Sequence, residues 1–121
     1  MKKILIVEDE KILAQMYKDE FEMAGFEAIL AFNCNEGLKM AKKENPDLIL
    51  LDILLPKENG VDFLKIWKED PEISKIPVVG LSNYDEPKTK REALDLGIKE
   101  YLLKTNYTPQ QIVEKVTEYL K

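Results

Sequence analysis

The chain has 121 residues, one cysteine, no histidine and a formal net charge of −5. That length suits one domain able to bury its own core, and a composition 45% hydrophobic and 34% charged excludes disordered and membrane-spanning classes. Without histidine there is no histidine-ligated zinc, no Ser-His-Asp triad and no histidine acid–base step.

The lone Cys34 has no partner for an internal disulfide, which fits a reducing compartment. Met1-Lys2-Lys3 and the four apolar residues after it are too short for a secretion signal. The acidic balance argues against direct nucleic-acid binding, which needs basic patches. The expectation is a cytoplasmic protein, off the membrane, forming a single domain over residues 1–121.

In chain order, the first element is the apolar run Ile4-Leu5-Ile6-Val7. A helix follows from Lys11 to Ala24, with Leu13, Met16, Tyr17, Phe21 and Ala24 at three- and four-residue steps and Gly25 as its stop. Ala28-Ile29-Leu30-Ala31 is the second run. Asn33-Cys34-Asn35-Glu36 reads as a capping box opening a helix that carries Leu38 and Ala41 and closes before Asn45-Pro46. The third run, Leu48-Ile49-Leu50-Leu51, is continuously apolar, as a strand buried on both faces should be.

Gly60 to Glu69 is the third helix, carrying Val61, Phe63, Leu64 and Trp67. Val78-Val79-Gly80-Leu81 is the fourth run. Asp85 as cap and Pro87 in the first turn open a helix to Leu96, with Gly97 at its end. Tyr101-Leu102-Leu103 is the fifth run. Thr108-Pro109-Gln110-Gln111 is a second capping box, and Ile112, Val113, Val116 and Leu120 form one apolar stripe behind it.

Runs and helices alternate as (βα)5. Right-handed crossovers then require a parallel five-stranded sheet, doubly wound with helices on both faces. Ligands of such α/β sheets bind outside the carboxyl ends of the strands. Glu8-Asp9-Glu10 follows the first strand, Asp52 the third, Ser82-Asn83 the fourth and Lys104-Thr105 the fifth. Carboxylates gathered there repel one another unless a cation is present, and Mg2+ accepts one or two carboxylates while leaving positions for phosphate. Lys104 supplies a point charge for a phosphate oxygen and Ser82 a hydroxyl donor. An aspartate can attack phosphorus to give an acyl phosphate. Glu10 complements the dipole of the first helix. Taken singly, each of these residues reads more simply as a cap, a turn former or solvated surface.

Four segments carry a family resemblance: Ile6-Val7-Glu8-Asp9-Glu10, Leu50-Leu51-Asp52 through Pro56 to Gly60, Val79-Gly80-Leu81-Ser82, and Gly97 through Tyr101-Leu102-Leu103-Lys104. Over essentially its whole length the chain resembles the receiver domain of bacterial two-component response regulators. That resemblance implies the flavodoxin-like fold of the chemotaxis regulator, with strand order 2-1-3-4-5. It implies Asp52 as phosphoacceptor. Asp9, Glu8 (through water), Asp52 and the Leu54 backbone carbonyl would hold Mg2+. Ser82 and Lys104 would contact the phosphoryl group, and Tyr101 would be the aromatic switch coupled to Ser82. Pro56 and Gly60 would shape the loop after Asp52.

The implied partners are a sensor histidine kinase or histidine phosphotransfer protein, and a downstream target or an output domain outside this chain. The implied state is a monomer or a weak, phosphorylation-dependent dimer. The implied partner face is helix four, strand five and helix five, including Lys88, Lys90, Arg91, Lys99 and Tyr119. The protein would promote only its own phosphorylation and dephosphorylation. Three other readings are weighed against this one. A pseudo-receiver interaction module would lack some of the five site residues. A haloacid-dehalogenase-type phosphatase would carry Asp-x-Asp after strand one, where this chain has Glu8-Asp9-Glu10. A flavodoxin-like cofactor binder would carry a glycine- or hydroxyl-rich loop there.

The chain departs from the family pattern at two places, Thr105 and Asn83. Thr105 follows Lys104 where the family has a proline after a cis bond, so the peptide is either cis at a cost of about 2.5–4 kcal/mol or trans on another path. Asn83 replaces a small residue, so slow labelling by small phosphodonors is expected. Leu54 and Tyr84 are bulky beside the path of hydrolytic water, so a slowly hydrolysed phosphoryl group is expected.

Overall fold

The apolar runs become five parallel strands, β1 (Lys3–Val7), β2 (Glu27–Ala31), β3 (Leu48–Asp52), β4 (Val78–Ser82) and β5 (Glu100–Leu103). They form one sheet of order β2-β1-β3-β4-β5, the order the family resemblance implies. The structure is a computed structural model describing residues 1–55 and 57–121; Pro56, expected to shape the loop after Asp52, lies outside them. Helices α1 (Lys11–Met23), α2 (Cys34–Glu44), α3 (Gly60–Glu69), α4 (Pro87–Leu96) and α5 (Pro109–Thr117) connect or follow the strands. Between β3 and α3 a short antiparallel ladder pairs Leu54 with Asn59 and Leu55 with Glu58.

Alternation along each strand divides the core in two. Leu5, Val7, Ile49 and Leu51 face one way and pack with Phe63, Leu64 and Trp67 of α3 and Ala93 of α4. Ile4, Ile6, Leu48 and Leu50 face the other way and pack with Tyr17 and Phe21 of α1 and Ile112, Val113 and Val116 of α5. Strands covered on both faces leave no polar side to alternate. Each fully buried aliphatic side chain contributes about 1.5–3 kcal/mol over its exposed state.

Local chemistry explains most helix ends and corrects three expectations. Thr108 and Gln111 form the full reciprocal box at α5. At α2 only half the expected box forms. Asn33 Oδ1 accepts from the Glu36 N–H, but the Glu36 carboxylate reaches back one residue further, to the Phe32 N–H at 2.9 Å. At α4 the cap position is Glu86 rather than Asp85, and no side chain caps it. In α1 the buried face is Ala14, Tyr17 and Phe21. Met16 and Ala24, in the expected stripe, are exposed: Met16 lies off the Ala14–Tyr17–Phe21 face, and Ala24 is the C-cap residue beyond the last helical turn. Gly25 and Gly97 stand at positive φ just past α1 and α4, as the stop signals require.

Asp52 and Ser82 are the final residues of β3 and β4, rather than the first residues after them. Asp52 is in register with Leu81, and Ser82 with Leu103. The ladder therefore sets the positions of both side chains directly.

Candidate phosphoacceptor and cation site

Parallel register brings the carboxyl ends of β1, β3, β4 and β5 to one edge of the sheet. Glu8 directly follows β1, and its N–H donates to the Ala31 carbonyl at 3.0 Å, extending the ladder by one residue. Its side chain is fully buried. Glu8 Oε2 accepts from the Glu10 N–H at 3.1 Å. Asp52 is also buried, and its Oδ1 accepts from the Leu54 N–H at 3.2 Å. Carboxylate oxygens of Glu8, Asp9 and Asp52 lie within 4.8 Å of one another.

Lys104 enters this cluster from the far end of β5. Its side chain is only 6% exposed, and Nζ donates to Asp52 Oδ2 at 2.8 Å. Nζ also forms an ion pair with Glu8 Oε1, a buried oxygen with no other partner among the described residues. Burial alone would lower the lysine pKa. The Asp52 and Glu8 carboxylates outweigh it, and the ammonium is held above its usual value. The Glu8 carboxyl moves the opposite way from an ordinary acid. Burial, and then the charge of Asp52, push it up to about 7, against a smaller downward pull from Lys104.

The peptide between Lys104 and Thr105 is trans, and Lys104–Asn106 makes a short 3₁₀ turn after β5. Of the two routes open at the departure from proline, this is the unstrained one, and it still directs the lysine into the site.

Ser82 and Tyr101 are both buried. The Ser82 hydroxyl donates to the Tyr84 carbonyl at 2.8 Å and accepts from the Tyr84 N–H at 3.1 Å. Its one proton is therefore committed to its own loop. The Tyr101 ring is turned inward, and its buried hydroxyl has no hydrogen-bond partner among the described residues. Burial raises its pKa. Asn83 and Tyr84 are exposed at the rim, Tyr84 by 67%.

Glu8, Asp9, Asp52 and Lys104 are thus brought together, with Leu54 adjoining them through its backbone. Ser82 is on the same edge but bonded elsewhere. Two further residues belong to these surroundings. Tyr17 of α1 lies near enough for the charges of Lys104, Glu8 and Asp52 to act on it, although burial dominates in raising its pKa to about 12. Helical periodicity marks Tyr17 only as core. Glu58 accepts from the Cys34 N–H at 3.1 Å, a contact across 24 residues of chain that carries no sequence signal.

At the Gly60 turn the backbone closes tightly behind Asp52. A Cβ on Gly60 would lie 2.7 Å from Ile53 Cα, and the Gly60 N–H donates to the Ile53 carbonyl at 2.7 Å. This is the close approach for which glycine is needed.

The response regulator receiver domain family matches residues 4–117. The polar-differentiation response regulator DivK of Brucella anthropi is 32% identical over 119 residues, covering 98% of this chain and 96% of that protein. The alkaline phosphatase synthesis transcriptional regulatory protein PhoP of Bacillus subtilis is 33% identical over 120 residues, 99% of this chain but only 49% of that protein. Among solved structures, the Mn2+-bound form of the response regulator Rcp1 superposes with a TM-score of 0.85 at 26% identity, covering 99% of this chain and 94% of that one. Sequence and fold agree over nearly the whole length, and the chain belongs to the receiver domains of two-component response regulators.

Proposed function

We propose that Asp52 accepts a phosphoryl group from a phosphohistidine on a partner protein, in a reaction that depends on Mg2+. The observation that carries this reading is the juxtaposition of three carboxylates within 4.8 Å with one buried ammonium against two of them. With all three ionised, −3 and +1 leave −2 at the site, which one divalent cation balances. The residues fit such an ion: the donors are hard oxygens, and two of the three carboxylates are buried with one ammonium between them. Glu8, Asp9, Asp52 and the Leu54 carbonyl would hold it. When bound, Mg2+ supplies charge that offsets the carboxylates and a phosphoryl oxygen.

An Asp52 carboxylate oxygen forms the new P–O bond as the P–N bond of the donor breaks, and the imidazole leaves with that electron pair. Lys104 turns from Asp52 Oδ2 to a phosphoryl oxygen, so the new anion meets an ammonium already desolvated and in place. Ser82 must release the Tyr84 carbonyl to donate its proton to the phosphoryl group. That release frees the loop entering α4 and biases the positions of Ser82 and Tyr101. The surface of α4, β5 and α5 carries the signal to the next protein. Lys88, Lys90, Arg91, Lys99 and Tyr119 are exposed there.

The test is incubation with acetyl phosphate and Mg2+, read by intact mass. The wild type is expected to gain one alkali-labile phosphoryl group, and to gain none when Mg2+ is chelated beforehand. Asp52→Asn is expected to stay unmodified with an unchanged circular dichroism spectrum. Full labelling of Asp52→Asn would refute the assignment. An unlabelled wild type that also binds no Mg2+ would leave a pure interaction module.

A further inference from the structure

We infer that Glu58 is a positioning residue for this site, a clamp that holds the backbone after Asp52 against the amino terminus of α2. The inference rests on the phosphoacceptor reading and adds a residue to it. Glu58 belongs to the outer strand of the short ladder, opposite Leu55, and its neighbour Asn59 is opposite Leu54. Leu54 in turn donates its N–H to Asp52 Oδ1. Any displacement of the ladder is therefore passed to the acceptor carboxylate and to the Leu54 carbonyl.

The ladder is anchored at both ends. At its base, Gly60 N–H binds the Ile53 carbonyl at 2.7 Å, and Asn59 Oδ1 accepts from Val61 N–H at 2.9 Å. At its outer side, the Glu58 carboxylate accepts from the Cys34 N–H at 3.1 Å. Cys34 is the first residue of α2, so its N–H has no partner within the helix and carries the positive end of the helix dipole. A carboxylate there makes a charge-assisted bond. The Cys34 side chain is buried beneath it. Burial first, and the Glu58 charge and hydrogen bond next, push the Cys34 thiol up to about 12, so the thiol stays protonated beside the clamp.

The clamp also joins the two walls of a cavity of about 250 Å³ that opens beside Asp9. Phe32 and Asn33, from the loop entering α2, form one wall, and Leu55, Lys57 and Glu58 form the other. Residues that orient metal ligands without touching the metal affect affinity almost as much as the ligands do.

The test compares wild type, Glu58→Gln and Glu58→Met. Glutamine keeps the acceptor oxygen for the Cys34 N–H, whereas methionine keeps the bulk and removes the acceptor. Two readouts are used: the Mg2+ dissociation constant by titration calorimetry, and hydrogen exchange at the Cys34 amide by NMR. Glu58→Met is expected to bind Mg2+ roughly tenfold more weakly, to exchange the Cys34 amide faster, and to need correspondingly more Mg2+ for half-maximal labelling by acetyl phosphate. Glu58→Gln is expected to stay within about twofold of wild type in Mg2+ affinity, because a neutral acceptor keeps the hydrogen bond. Wild-type Mg2+ affinity in Glu58→Met would overturn the clamp while leaving the phosphoacceptor reading intact. Equal losses in the two variants would overturn it too, by showing that the hydrogen bond to the Cys34 amide, which glutamine keeps, does not carry the effect. Absence of Mg2+ binding in the wild type would overturn both readings.

Discussion

Lys104 Nζ stands 2.8 Å from Asp52 Oδ2, although 52 residues separate them and a trans peptide follows the lysine. Its ammonium also touches Glu8. One cation thus neutralises part of a cluster that would otherwise repel itself.

Replacing that lysine leaves two buried carboxylates uncompensated. Removing one partner of a buried ion pair costs about 3–5 kcal/mol. Lys104→Met is expected to lose a large part of its stability in chelator, and to recover much of the loss at saturating Mg2+, because the ion offsets the same carboxylates. Denaturation curves of both proteins with and without Mg2+ check this. Equal destabilisation in the two conditions would place the ion elsewhere.

Glu8 makes the metal-free protein less stable as pH rises. Its carboxyl is raised from 4.5 when unfolded to about 7 when folded. Between those values the folded state holds the proton and the unfolded state does not, so folding is favoured at the acid end. This contribution is full below about 4.5 and is lost as pH climbs through about 7. Urea titrations in chelator at pH 5.5 and 7.5 are expected to show the higher midpoint at pH 5.5, with the difference reduced in Glu8→Gln. Mg2+ affinity is expected to run the other way and weaken below about pH 7, where Glu8 must first release its proton.

Gly60 and Gly37 separate damage to the site from damage to the fold. A Cβ on Gly37 would meet the core side chains of Val7, at 2.9 Å, and Phe63, at 3.2 Å, whereas on Gly60 it would meet the Ile53 backbone at 2.7 Å. Both alanine variants are overpacked and are expected to lose about 1–3 kcal/mol. Gly60→Ala is expected also to lose Mg2+ affinity and acetyl phosphate labelling, since the strand it displaces carries Asp52. Gly37→Ala is expected to keep both. Labelling rates and melting curves of the pair decide.

The rim residues govern how fast the phosphoryl group arrives and leaves. Asn83 follows Ser82 and is exposed at the mouth of the site. Asn83→Ala is expected to label faster with acetyl phosphate at equal Mg2+. Tyr84→Ala and Leu54→Ala are expected to shorten the lifetime of the phosphoprotein by opening the approach for water. The measurements are labelling time courses and decay after donor removal. Unchanged rates would assign these side chains no part in access.

Much of the architecture was legible in the chain because the relevant physics is local. Four-residue apolar runs separated by helical periodicity demand strands covered on both faces, and Thr108 with Gln111, Asn33, Gly25 and Gly97 mark helix ends by short-range hydrogen bonding and backbone conformation. The identities of Glu8, Asp9, Asp52, Ser82 and Lys104 were legible for the same reason, since each adjoins the end of an apolar run. The buried stripe of α1 differs from the expected one at Met16 and Ala24: Met16 lies off the Ala14–Tyr17–Phe21 face, and Ala24 is the C-cap where the helix has ended.

The composition and order of residues determined a doubly wound sheet with carboxylates, a hydroxyl and an amine along one edge, because strand alternation and crossover handedness follow from the chain itself. Only the tertiary structure decided which of these groups meet. It placed Lys104 on Asp52 and Glu8, bound the Ser82 hydroxyl to its own loop, and joined Glu58 to Cys34. Those contacts depend on strand register, on the path of the backbone after Lys104 and on the angle at which α2 meets the sheet. The Lys104 and Glu58 contacts are set by the packing of segments far apart in sequence, and no local pattern encodes them, whereas the Ser82–Tyr84 contact is a turn between residues two apart.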